Sequence, residues 1–192
     1  RKAPFVSGTQ EAVEHAGRDS ELDYQEMLKG LELKRDIEAI LLANQKKVTG
    51  DTTTARQTGA VLSWLKTNSS TGTGGSNPGT SDGGTSRTDG TTRAFTEALL
   101  KTVLQSAWNN GGKPDTIMVN SFNKQQFSTF TGRASPIEDT KAKKITASVD
   151  AYESDFGVLK VVPNRFQRCT GLSDTVSEAF VLQLDMWAIA RL

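Results

Sequence analysis

One cysteine and one histidine are all the soft-ligand chemistry that this sequence contains. Cys169 alone closes no disulfide within the chain, and His15 with Cys169 makes no pair at the spacing of a zinc or related metal site. Charge of one sign is missing too. Lys and Arg number 23 against 22 Asp and Glu, a formal net charge of +1, so composition favours neither a polyanion nor a membrane surface as partner. No apolar run reaches about 18 residues, and Arg1-Lys2-Ala3-Pro4 lacks the apolar segment of a signal peptide. The expectation is a soluble protein folded in an intracellular compartment, with no metal and no cofactor. The chain starts without Met on a charged, Pro-containing stretch and stops directly after the apolar run Met186 to Leu192. Further sequence on one or both sides is therefore expected. Its 192 residues are enough to bury a real core, as one compact body or a body with an arm.

What is present reads as α+β. Arg1 to Val6 is expected to be extended around Pro4. Ser7 with Gln10 forms a capping box, and Ala12 to Lys47 has no proline, with Tyr24, Leu28, Leu31, Leu33, Ile37, Ile40 and Leu41 recurring at helical spacing. One long helix with a weak point at Gly17 or Gly30, or two helices in line, both fit; unbroken, it would span about 50 Å at about 1.5 Å per residue. Such an element is a strut as much as a core helix. Thr49 to Arg56 is a polar connector, and a change of module near Gly50 is plausible. Gly, Ser and Thr then fill 20 of the 26 positions from Thr67 to Thr92, a tract too poor in apolar surface to order itself and expected as a flexible loop, 67–92.

Thr92 as an N-cap, with Phe95, Leu99, Leu100, Val103, Leu104 and Trp108 on one face and Gly111-Gly112 as a stop, predicts the clearest helix. Asp115 to Val119 reads as a buried strand. Ser121 reads as the cap of a short helix that carries Phe122, Phe127 and Phe130. Lys144 to Glu153 and Val158 to Val162 predict a hairpin turning at Ser154-Asp155-Phe156-Gly157 and ended by Pro163. Phe180 to Leu184 is expected as a strand, and Trp187 to Leu192 as a strand or a helix start.

The catalytic patterns are chance or incomplete. His15 lies in a charged helical stretch with no nucleophile at hand. Ser121 and Lys124 copy a Ser-x-x-Lys spacing but read as a cap and a surface lysine. Asp155-Phe156-Gly157 copies a magnesium-binding triplet without the companion kinase motifs and reads as a turn. The glycines between Gly72 and Gly90 spell no phosphate-binding loop, and Glu138 with Asp139 is an adjacent pair whose side chains normally diverge. Asn68-Ser69-Ser70 fits the glycosylation sequon, a pattern common by chance. Trp64, Trp108 and Trp187 each sit in an apolar run and read as core or subunit contact.

Five stretches, together a little under half of the chain, are spread along it from Val6 to Arg168: Val6 to Gln25, Glu32 to Gln45, Thr88 to Trp108, Pro114 to Gly132 and Ser154 to Arg168. In them the sequence resembles the SU-ten-like family of tailed-phage major head proteins, whose capsid fold is of the Hong Kong ninety-seven type. The resemblance implies a structural shell subunit and not an enzyme, without catalytic, cofactor-binding or metal residues. It implies that residues 1–7 end an E-loop, that 8–48 form the spine helix of a peripheral domain, and that 49–192 form a mixed α/β axial domain. Copies of the chain would meet as pentamers and hexamers in an icosahedral head around double-stranded DNA, assembled in the host cytoplasm. Scaffolding, portal and decoration proteins are the implied further partners, with no sequence-specific DNA contact and no membrane. Which residues make the subunit interface stays unassigned. The long Gly/Ser/Thr tract and a small insertion at Cys169 to Ala179 depart from the family pattern. The other readings are an encapsulin-like compartment shell and a small ligand-binding α+β domain; a tail or fibre component would show β-rich repeats, and none are present.

Overall fold

The structure, a computed structural model, describes residues 2–13, 16–17, 19–130, 138–139, 144–145, 151–167 and 178–189. His15, Cys169 and the last three residues lie outside the described residues. Ser7 caps a short first helix, α1 (Gly8–Ala12), by accepting from the Gln10 backbone N–H, as the capping box predicts. The single long helix does not form. Val13 is extended and Gly17 takes φ +84°, a conformation that glycine adopts without strain. Ser20 then caps the second helix, α2 (Glu21–Leu41), by accepting from the Asp23 N–H. Glu11 reinforces this start: its carboxylate accepts from the Ser20 hydroxyl at 2.8 Å and from the Leu22 N–H at 3.0 Å. These local acceptors satisfy the orphan amides of a new helix, which is why the break falls at Gly17. At 21 residues, α2 is roughly 30 Å long. Gly30 stays helical and exposed, and a Cβ there would meet nothing within 4 Å. Gly30→Ala should therefore raise stability by about 0.5–1 kcal/mol, read as an upward shift in the urea midpoint at unchanged slope.

Lys2, in the extended arm before α1, reaches Asp36 at 2.7 Å and Glu32 at 3.2 Å, so the arm runs beside α2. At the far end of the helix Leu42 turns inward, 4 % exposed.

The centre of the molecule is a four-stranded sheet that runs from Ala151–Ser154 through Gly157–Pro163 and Thr116–Val119 to Phe180–Leu182. Its strands are β1 (Thr116–Val119), β4 (Ala151–Ser154), β5 (Gly157–Pro163) and β6 (Phe180–Leu182). β1 runs parallel to β5 and antiparallel to β6. Two further helices, α4 (Glu97–Asn109) and α5 (Ser121–Ser128), cover one face, where Leu100, Leu104 and Phe127 pack on Ile117, Val119, Leu159 and Val161. Leu62, from the single turn α3 (Val61–Trp64), covers the other face with Leu42, Phe180 and Leu182. A mixed sheet with helices on it is the α+β architecture expected. Two caps are corrected. Thr96, not Thr92, accepts from the Leu99 N–H to start α4, and Asn120, not Ser121, accepts from the Asn123 N–H to start α5. Phe95 and Thr92 precede the helix, and Gly111 at φ +81° ends it as expected.

The hairpin forms as β4 and β5 around Asp155-Phe156, with Gly157 at φ +134°. Its first strand is shorter than Lys144 to Glu153. Lys144–Ile145 is a separate strand, β3, paired antiparallel with Glu138–Asp139, β2. The register Ala151↔Lys160 would place Ile145 opposite Phe166, beyond Pro163, where the partner strand has already lost its donor. Residues 146–150 lie outside the described residues. After β6 the chain makes one 3-10 turn at Leu184–Met186 instead of continuing as strand to Leu184.

The Gly/Ser/Thr tract forms specific structure with little apolar burial beyond Pro78. Ser76 and Thr88 pair as an antiparallel bridge, Gly75 closes a turn onto Gly72, and the Thr91 N–H donates to Thr73. Arg87 sits at its middle. Asn44 brackets the Arg87 backbone through both amide atoms, and the guanidinium donates to Asn77 at 2.9 Å. Asn68, at φ +56°, accepts from Ser106 and Asn110 at the end of α4. The expectation that this tract cannot order itself counted apolar area and left out the backbone and side-chain hydrogen bonds that polar residues supply.

Candidate assembly surfaces

None of the scattered catalytic patterns becomes a site among the described residues. Ser121 is the first residue of α5, with Lys124 in the next turn, and Asp155-Phe156-Gly157 is the hairpin turn, the Phe156 ring lying 5.4 Å from Trp108. Two partly buried networks were not anticipated, since they join residues far apart in sequence. The Tyr152 hydroxyl on β4 donates to Glu97 at the start of α4 at 3.1 Å, and Lys101 pairs with the same carboxylate at 2.8 Å. Lys101 holds Glu97 below its usual range, with help from Tyr152. Burial, then the bond to Glu97, pushes the Tyr152 phenol up to about 12. A raised pKa favours the protonated form in the fold, so this contribution is complete below the ordinary value of 10 and is lost as pH rises through about 12. In a Tyr24→Phe variant, absorbance titration at alkaline pH should find the remaining phenol at about 12 in the folded protein and at about 10 after denaturation. The second network is Asn164, after β5, donating to Glu38 on α2 at 2.7 Å, which ties helix to sheet.

The surfaces are more telling than the interior. α2 has no buried residue. Its apolar side chains form two stripes. Tyr24, Met27, Leu28 and Leu31 follow i, i+3, i+4, i+7 spacing, and Leu33, Ile37 and Ile40 lie on nearly the opposite side. Met27 is 56 % and Leu31 53 % exposed. A helix apolar on two opposite sides is made to be covered twice, and the described residues cover neither side fully. A second apolar stretch, Leu184, Met186, Trp187 and Ile189, is exposed after β6. Beside it a groove of about 720 Å³ opens between α4, β6, Phe122 and the two ends of the Gly/Ser/Thr tract.

The sequence pattern of the family described as SU10 major capsid protein matches this chain over residues 1–192. The chain belongs to the SU10 major capsid protein family. No curated protein matches it. As a major capsid protein it is a structural component of the tailed-phage virion and not an enzyme. A major capsid protein assembles with further copies of itself. The helical spacing of α2 was legible in the sequence, as part of a longer expected helix, but the groove was not, its walls coming from six separate stretches of chain. Among the described residues, no helix is long and apolar enough to cross a membrane.

Proposed function

We propose that this capsid protein assembles into the pentamers and hexamers of an icosahedral head enclosing double-stranded DNA, with the capsid fold of the Hong Kong ninety-seven type. In this reading α2 is the shortened spine helix, residues 1–7 are the returning end of an E-loop, and 49–192 are the axial domain. Assembly takes place in the host cytoplasm, where scaffolding, portal and decoration proteins join it. The observation that carries the reading is α2 itself: 21 helical residues with two apolar stripes and none buried. An isolated amphipathic helix is stable when its apolar faces meet partners, and a closed lattice supplies them in every subunit. Balanced charge fits the same role, because a near-neutral wall leaves packaged DNA without strong adhesion.

The test is Leu31→Asp in the full-length gene product. A carboxylate at this exposed position should leave the far-ultraviolet circular dichroism unchanged and abolish sedimenting shells. Normal shells from the variant would remove α2 from the assembly surface and with it the support for this reading.

A further inference from the structure

We propose that the groove beside α4 in one subunit receives the first half of α2 from a neighbouring subunit. The inference rests on the shell reading and names one of its contacts. Tyr24, Met27, Leu28 and Leu31 have the i, i+3, i+4, i+7 spacing with which an amphipathic helix lies in an apolar groove. The groove offers the matching chemistry: Leu99 and Val103 along α4, Phe122 from α5, and Trp187 at its mouth. Phe122 and Trp187 remain 43 % and 37 % exposed within the subunit, so a second apolar body can still cover them.

Charge selects this half of the helix. Residues 21–31 carry Glu21, Asp23 and Glu26 against Lys29 alone, and Glu21 and Asp23 flank the apolar stripe at about 100° per residue. The groove is lined by Lys66, Arg87, Arg93 and Lys113 against Asp89 and Glu178. Arg87 is committed to Asn77 and Leu65, whereas Lys66, Arg93 and Lys113 are exposed, and Arg93 donates one hydrogen bond to the neutral Ser70 hydroxyl, so their charge faces solvent, where an acidic partner can meet it. The later half of α2, with Lys34 and Arg35, is the poorer fit.

The experiment uses shells of the full-length protein in a Cys169→Ser background. Met27→Cys and Trp187→Cys are expressed separately and together, and the particles are oxidised and run without reductant. Mixed shells should show a disulfide-linked dimer at least tenfold above that in shells of either variant alone. In parallel, Asp23→Lys should cut shell yield several-fold, and Arg93→Glu or Lys113→Glu should restore it. Well-formed mixed shells lacking the dimer overturn the inference and leave the shell reading standing. The same holds for dimers in Met27→Cys shells alone, since α2 would then pair with itself. Failure of both rim reversals to rescue Asp23→Lys also counts against it. An unmodified protein that makes no particles defeats the shell reading itself.

Discussion

Phe127→Ala should lower the free energy of unfolding by about 3–5 kcal/mol, the largest loss expected from a single truncation among the described residues. Phe127 is 1 % exposed and lies at the meeting point of α4, α5 and the sheet. Its ring lies 5.0 Å from Phe130, 5.4 Å from Tyr152 in an edge-on arrangement, and 6.5 Å from Phe95. Three rings converge on it, so truncation removes apolar burial and aromatic pairing together and leaves a cavity that two helices and a strand cannot close at once. Phe122, in the same helix but 43 % exposed, is the internal comparison: Phe122→Ala should change the subunit's stability by no more than about 0.5 kcal/mol. Urea unfolding of both variants, followed by fluorescence, separates the two. Equal midpoints would mean that Phe127 is not the centre of the core.

Gly90→Ala should cost about 2–3 kcal/mol by forcing apart two strands of backbone in the Gly/Ser/Thr tract. A Cβ on Gly90 would stand 2.4 Å from the Gly72 carbonyl oxygen and 2.6 Å from its carbon, and one on Gly72 would stand 2.1 Å from the Thr91 oxygen. Backbone atoms held by the Gly75-to-Gly72 and Thr91-to-Thr73 bonds cannot rotate away as a side chain would. The ordered tract depends on this crossing, so Gly90→Ala should also speed tryptic cleavage at Arg87 by an order of magnitude or more. Gly79 supplies the contrast within the same tract: its φ is not positive and a Cβ there meets nothing within 4 Å. Gly79→Ala should be neutral or slightly stabilising.

These two sites mark how far the sequence could be read. The core around Phe127 was legible, because Leu100, Leu104, Ile117 and Val161 announce themselves by period and by the glycines and proline that bound their elements. The second strand of the hairpin was legible for the same reason, Gly157 and Pro163 fixing both its ends, whereas the start of the first strand was not. The tract was not. Its order resides in hydrogen bonds to Asn44, Asn68 and Asn77 and in a glycine-on-glycine approach, and neither has an apolar signature. The break in the long helix was half legible: Gly17 and Gly30 looked equally weak, and only Ser20 and Glu11, capping the new helix from both sides, decide for Gly17. The exposed stripes of α2 were visible as apolar spacing, but that both would lie open needed the structure.

On the shell reading, this subunit's uncovered surface is lattice surface. Negative-stain electron microscopy of the full-length gene product, expressed alone and with its neighbouring phage genes, tests it most directly. Closed shells, or rings of five and six subunits, are the predicted result. A monomer that forms no particles under any of these conditions would contradict the claim and return the open faces of α2 to an unexplained state.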